Sequence, residues 1–230
     1  MSGPGQLAFA FPPAVSYAEA DFVPAAASAE ARAWLARWPG WPSGRLALWG
    51  PEGAGKSHLA AIWAARAQAA VLPAAALDSA EPPALLGAAR HVAVEDGDRI
   101  AGAAAERGLL HLLNLVAEGG GTVLLTGRRP PARWPVRLAD LRSRLAAAAA
   151  VAIAAPDEAL LAAVLAKALA DRQLAAAPGV AAYLVRRLPR SFAAMQAAAA
   201  WLDRASLGSG RRIGRALAAE LVALHDNRGS

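Results

Sequence analysis

The chain has 230 residues, 24 Lys+Arg against 18 Asp+Glu, no cysteine and 56% hydrophobic residues. A chain of this length buries a real core and builds one or two domains, and without cysteine it has no disulfide framework, cysteine-ligated zinc or thiol nucleophile. The apolar fraction excludes a disordered chain. Alanine supplies much of that fraction, and aromatics are only 6%, so alanine-rich stretches read as helix surfaces and close helix contacts. No run of strongly apolar residues is long enough to predict a transmembrane helix. The first residues lack a basic segment and a long apolar segment, so no secretory signal is expected and the cytoplasm is the default compartment. The formal charge of +6 points either to an anionic partner or to arginine-biased composition; no dense Lys/Arg run favours nucleic acid.

Residues 1–25 are rich in Pro, Ala and Gly and read as an extended arm. A helical pattern begins at Ser28, a possible N-cap, with Ala31, Trp34, Leu35 and Trp38 on one side, and Pro39, Gly40 and Pro42 stop it. Apolar runs then alternate with helical patterns. Arg45–Trp49 reads as a buried strand, 58–70 as a helix, 71–75 as a weak strand and Val92–Glu95 as a better one. Leucines and Val116 recur at helical spacing over 106–118. Residues 122–126 form another strand and 150–154 the last. Fully apolar strands alternating with helices predict an α/β fold with a parallel sheet. After Pro156 the strand signals cease, and 157–172, 179–188, 191–205 and 211–224 read as helices. The expected division is an arm (1–25), a P-loop α/β domain (26–155) and a helical lid (156–230).

The strongest motif is Gly50-Pro51-Glu52-Gly53-Ala54-Gly55-Lys56-Ser57, matching G-x-x-x-x-G-K-[ST]. It follows a strand and precedes a helix, as a phosphate-binding loop requires. Glycines let backbone N–H groups turn toward phosphate oxygens, and the helix N-terminus adds partial positive charge. Lys56 supplies a point charge for the β/γ-phosphates, and the Ser57 hydroxyl can ligate Mg²⁺. Gly50, Gly53, Ala54, Gly55, Lys56, Ser57 and His58 are therefore the candidate nucleotide-binding residues. The run Val92–Asp96 (VAVED) ends in two acids. Glu95 takes the metal-side position and Asp96 that of a water-orienting base. Aspartate is the usual residue first in that pair, and Glu95 is one methylene longer, which favours binding over fast hydrolysis; a plain acidic turn is the alternative. Thr126, at the tip of the next strand, can sit between these acids and a γ-phosphate, or serve only strand propensity. Arg142 and Arg144, in the DLRSRL run before the last strand, can reach an adjacent subunit's nucleotide, or be solvated surface.

The P-loop, VAVED, TVLLTGRRPPARWPV and DLRSRL, followed by a helical lid, resemble the AAA+ ATPases of the DnaA initiator group, and more closely the Hda-like regulatory inactivators of DnaA. The resemblance covers nearly the whole chain. It implies a sensor-1 role for Thr126 and an arginine-finger role for Arg144, with Arg142 secondary. It places Ala193 where the family carries a nucleotide-touching arginine, with Arg190 nearest. That departure fits a protein that holds ADP or ATP with Mg²⁺ more than one that turns it over. It implies that Phe22 and Val23 border the adenine. Gln6, Leu7, Phe9 and Phe11 resemble the peptide with which such proteins bind the sliding clamp of DNA polymerase, an extended segment with alternate apolar anchors; Phe9 stands where leucine is usual. The chain is expected to lack DnaA's helix-turn-helix domain, since no such module follows the lid. His58, His91, His111 and His225 show no metal spacing.

The resulting expectation is a regulator of replication initiation, with weak or no ATPase of its own. It would dock on the sliding clamp, which would associate it with the nucleoid, and stimulate hydrolysis of ATP held by DnaA. No direct sequence-specific DNA binding or membrane partner is expected, and a homo-oligomer is compatible. The rival readings are a self-sufficient AAA+ ATPase acting as a remodeller or loader, and a P-loop kinase.

Overall fold

The computed structural model describes residues 22–209 and 212–227. Five strands form one sheet: β1 (Arg45–Trp49), β2 (Ala70–Pro73), β3 (Val92–Glu95), β4 (Val123–Gly127) and β5 (Ala149–Ala152). Their order is β2-β3-β4-β1-β5 and every pairing is parallel. Successive side chains of a strand leave on opposite faces. Here both faces are covered, which is why the strands read as unbroken apolar runs.

Leu46 and Leu48 of β1, Ala93 of β3, Leu124 of β4 and Val151 of β5 pack on one face with Ala31, Leu35, Leu59, Ala60 and Trp63. The last five belong to α1 (Ala26–Ala36) and α2 (Lys56–Ala67). Ala47, Val92, Val94, Val123 and Leu125 pack on the other face with Leu86, Leu109, Leu112, Leu141 and Leu145. These leucines come from α3 (Pro82–Leu86), α4 (Ala103–Glu118) and α5 (Ala139–Ala146). The result is a helix–sheet–helix sandwich.

Four further helices follow: α6 (Glu158–Ala170), α7 (Val180–Val185), α8 (Phe192–Ser209) and α9 (Arg215–Asp226). Asp157 caps α6, its Oδ1 accepting the Leu160 N–H at 2.7 Å. The described chain forms two compact units. One runs to Leu161 and includes Arg190–Phe192; the other comprises Ala162–Pro189 and the residues from Ala193 onward. The helical unit holds Tyr183 between Arg187 and Arg215, whose guanidinium carbons lie 4.2 and 4.6 Å from the ring centre. Among the described residues, no helix is long and apolar enough to cross a membrane.

Three local expectations are corrected. Ser28 is not the cap of α1: Ala25 holds that position, and Ser28 lies within the helix, buried, with its hydroxyl donating to the Ala25 carbonyl at 3.2 Å. The helix read over 58–70 is shorter at its end and runs from Lys56, where the loop motif places its start, to Ala67, Gly55 in left-handed conformation turning the chain directly into α2. Two helices, α3 and α5, stand where no helix was expected. Short length and, in α5, a charged composition left them little periodic signal.

Candidate functional site

In an open α/β sheet the binding crevice lies outside the carboxyl ends of the strands, where connections diverge. β1 has β4 on one side and β5 on the other, so the loop leaving Trp49 opens at such a point. The Gly50 N–H donates to the Gly127 carbonyl at 3.1 Å, and the Ile153 N–H donates to the Trp49 carbonyl at 2.7 Å. The start of the loop is thus fastened to the ends of both neighbouring strands.

Gly53 has φ +75° and Gly55 φ +92°, left-handed conformations in which any Cβ is strained. Space excludes a side chain as well. A Cβ on Gly53 would collide with the Ser191 Cβ, and one on Gly55 would lie 2.9 Å from Phe192 Cε2. Lys56 is 8% exposed. Its ammonium donates to the Gly50 and Pro51 carbonyls, both at 2.8 Å, so two of its three hydrogens stay within the loop. Burial pushes its pKa down, Asp96 and Asp98 push it up, Arg128 pushes it down and Glu52 up. A desolvated cation at a helix start is a site for an anion.

The acids close to Lys56 are arranged differently from the linear reading. Glu95 ends β3 opposite Pro73, whereas Asp96 and Asp98 are the β3-loop acids acting on the lysine. Asp96 takes left-handed φ of 54°. Its N–H donates to Thr126 Oγ1 at 3.1 Å, and its carboxylate meets Arg99 at 3.5 Å on the surface. Thr126 is 1% exposed, so its hydroxyl anchors the acidic loop from β4. Asp98 Oδ2 accepts the Arg128 N–H at 2.9 Å, while its Oδ1 is buried without a hydrogen bond. Asp98 and Arg128 were not singled out in the sequence; their signal was only their place after two strand tips.

On the β5 side, Phe22, Val23, Ala54, Ile153, Pro156, Leu160 and Phe192 line a narrow apolar crevice. The Phe22 and His58 rings meet edge to face, centroids 5.3 Å apart. The structure therefore brings Phe22, Val23, Ala54 and His58 together with the loop. It also adds Phe192, Ile153, Pro156 and Leu160, which nothing in the sequence patterning marks as site residues. Arg190 faces Glu158 at 3.8 Å, and Ala193 is the second residue of α8.

Arg144 lies elsewhere. Its carbonyl accepts from Arg45 Nη1 at 3.0 Å, and α5 descends to the edge where β5 begins, Leu46 being paired with Ala149. β1 rises about 3.3 Å per residue, so this edge is roughly 13 Å from the loop. The Arg144 Nε donates to Asp140 Oδ1 at 3.2 Å. Burial and the Arg144 charge push the pKa of Arg45 down. Arg142 is exposed and reaches the Arg137 carbonyl at 3.4 Å. Gln6, Leu7, Phe9 and Phe11 lie outside the described residues. No group of three or more His, Cys, Asp or Glu poised for a metal occurs among the described residues.

The strand order, the loop and the flanking helices define the fold of an AAA+ domain. Domain III of the Thermotoga maritima replication initiator DnaA is similar, with a TM-score of 0.72 at 15% identity over 88% of this chain and 93% of that one. A DnaA bound to AMPPCP and single-stranded DNA gives 0.66 at 15% identity, over 85% of this chain and 66% of that one. The FIGL-1 AAA domain in complex with ADP gives 0.56 at 17% identity, over 78% and 70%. No family model matches the sequence, and no curated protein matches it.

Proposed function

We propose that this chain binds an adenine nucleotide in the 50–57 loop and acts as a DnaA-related regulator of replication initiation. The observation that carries the binding is the buried Lys56 ammonium, held by two loop carbonyls at the start of α2 beside the apolar Phe22–Phe192 crevice. The cation suits phosphates, and the apolar walls of the crevice are the surface against which a base would pack. Adenine rather than another base is supported by the AMPPCP held by the similarly folded DnaA. Mg²⁺, when bound, would neutralise phosphate charge; Ser57 is its candidate ligand, with an acid from the Glu95–Asp98 turn.

The regulatory part rests on where the arginine stands. Arg144 is at the sheet edge remote from its own loop, so it serves a nucleotide on another chain or none. Docking on the sliding clamp through Gln6, Leu7, Phe9 and Phe11, and action on ATP held by DnaA, complete the reading. Its direct test is hydrolysis of DnaA-bound ATP with clamp loaded on DNA. The wild-type chain should stimulate it, while Arg144→Ala and Gln6→Ala should each reduce the stimulation at least tenfold. No stimulation by wild type rejects the regulatory role. Turnover of order 1 s⁻¹ by the chain alone, abolished in Lys56→Ala, would instead identify a self-sufficient ATPase.

A further inference from the structure

The resting contacts of the loop contain a second cation that the P-loop motif does not call for. Arg128 is the first residue after β4. The pairing of Trp49 with Gly127 sets it beside the first residue of the loop. Its backbone is held by Asp98 Oδ2 at 2.9 Å. Its Nη2 donates to Glu52 Oε2 at 2.6 Å, the two side chains being 51% and 79% exposed. Glu52 is a variable position of the loop motif, so an arginine of one strand tip is clasped to the phosphate loop itself.

The sheet order says which part of a nucleotide would meet it. The apolar crevice contains Ile153, just past β5, on one side of β1, and Arg128 follows β4, on the other. A nucleotide with its base in that crevice and its phosphates along the loop runs across β1 toward Arg128. Its terminal phosphate ends on the β4 side. We propose that Arg128 is a phosphate-binding residue supplied by the same chain, held by Glu52 and transferred to the terminal phosphate of a nucleoside triphosphate. This rests on the reading of loop 50–57 as the nucleotide site.

The exchange is chemically balanced. An exposed ion pair contributes little, so releasing Glu52 opposes the exchange only weakly. The planar guanidinium then gains two parallel hydrogen bonds to a phosphate carrying more charge than a carboxylate. A diphosphate ends one phosphate short and leaves the clasp in place. Arg128 thereby sets the preference between tri- and diphosphate on the β4 side, where Lys56 alone would discriminate weakly.

The test is calorimetric titration of the full chain with Mg²⁺ and either ADP or AMPPCP. Arg128→Ala should lose about tenfold in AMPPCP affinity and stay within twofold for ADP. Arg128→Lys, which keeps charge but not the fork, should fall between. Glu52→Gln should bind AMPPCP more tightly than wild type, with ADP unchanged. Equal loss of both ligands in Arg128→Ala, or no loss, overturns the assignment while leaving the loop as the binding site. No gain in Glu52→Gln overturns the clasp. Wild type binding neither nucleotide overturns the loop reading and this one with it.

Discussion

Glu106 is the buried acid on which the route into α5 depends. It sits in the first turn of α4 at 4% exposure. One oxygen accepts the Leu138 N–H at 2.8 Å and the Arg137 N–H at 3.0 Å, and the other accepts Arg137 at 3.1 Å. Replacing it with alanine strands two backbone donors. Hydrogen bonds to a charged group contribute about 1.5–3 kcal/mol each, so the gross loss is roughly 3–6 kcal/mol. Relief from burying a carboxylate returns part of it, leaving about 2–4 kcal/mol. For a chain of this size each kcal/mol moves the midpoint by about 2–4 °C. Glu106→Ala should therefore melt roughly 5–15 °C below wild type in a circular-dichroism scan. Glu106→Gln keeps one acceptor oxygen but turns an NH₂ toward a donor, and should fall between. A shift in Glu106→Ala below about 2 °C would refute the claim that this carboxylate holds the 135–138 turn.

Three further outcomes are expected. Lys56→Ala should abolish the nucleotide-dependent rise in melting temperature, a stabilisation of about 2.7 kcal/mol when ligand is 100-fold above Kd; a retained rise would remove Lys56 from the binding site. Phe192→Ala should weaken ADP about tenfold by opening one wall of the crevice, of the order expected for partial burial of an aromatic ring; unchanged calorimetric affinity would place the base elsewhere. Burial and Arg90 push His91 below its ordinary 6.5, and its Nδ1 accepts the Thr122 N–H at 3.1 Å. Between the two pKa values the unfolded chain binds more protons, so this contribution is complete above about pH 6.5 and is lost as pH falls toward the folded value. Urea midpoints at pH 8 and 5.5 should fall further for wild type than for His91→Gln, and equal falls would exclude His91.

The central strands β1, β3 and β4 were legible because they are buried on both faces, so Leu46–Leu48 or Val92–Val94 needed no alternation to stand out, whereas β2, with Val71 48% exposed, gave a weaker signal. The loop was legible because Gly53, Gly55 and Lys56 each answer a separate physical demand within a few residues. What was not legible arises from proximity across the chain. Phe192 reaches Gly55 from far along the sequence, and no local pattern records that approach. The same holds for Arg128 and Glu52, 76 residues apart. The acidic turn holds a further feature that residue order does not carry. Reading Glu95-Asp96 by order assigns the metal side to Glu95. The structure adds that Asp96 takes a left-handed turn, that Asp98 holds the Arg128 N–H and that both charges act on Lys56, and a dihedral angle is not written in residue type.

Arg128 and Arg144, the two arginines proposed to meet phosphate, stand at opposite ends of the sheet, and the same physics governs both. Arg128 at the carboxyl edge is paired with Glu52, and Arg144 toward the amino edge with Asp140. Both carboxylates are well exposed, so each pair is weak and weakens further as salt rises. A weak partner keeps a long side chain extended and its charge available, whereas a buried carboxylate would trap it. Exchange for phosphate is then governed by charge and fork geometry at the point of contact. Under the proposed function, one end would serve this chain's own loop, and the other, roughly 13 Å away by strand rise, a nucleotide brought by another molecule. Under the proposed function, Arg128→Ala should therefore alter this chain's preference between nucleotides without changing the trans effect at saturating ligand. Arg144→Ala should abolish the trans effect with nucleotide affinity intact. A single variant that moved both readouts would mean the two ends are coupled through the sheet rather than independent.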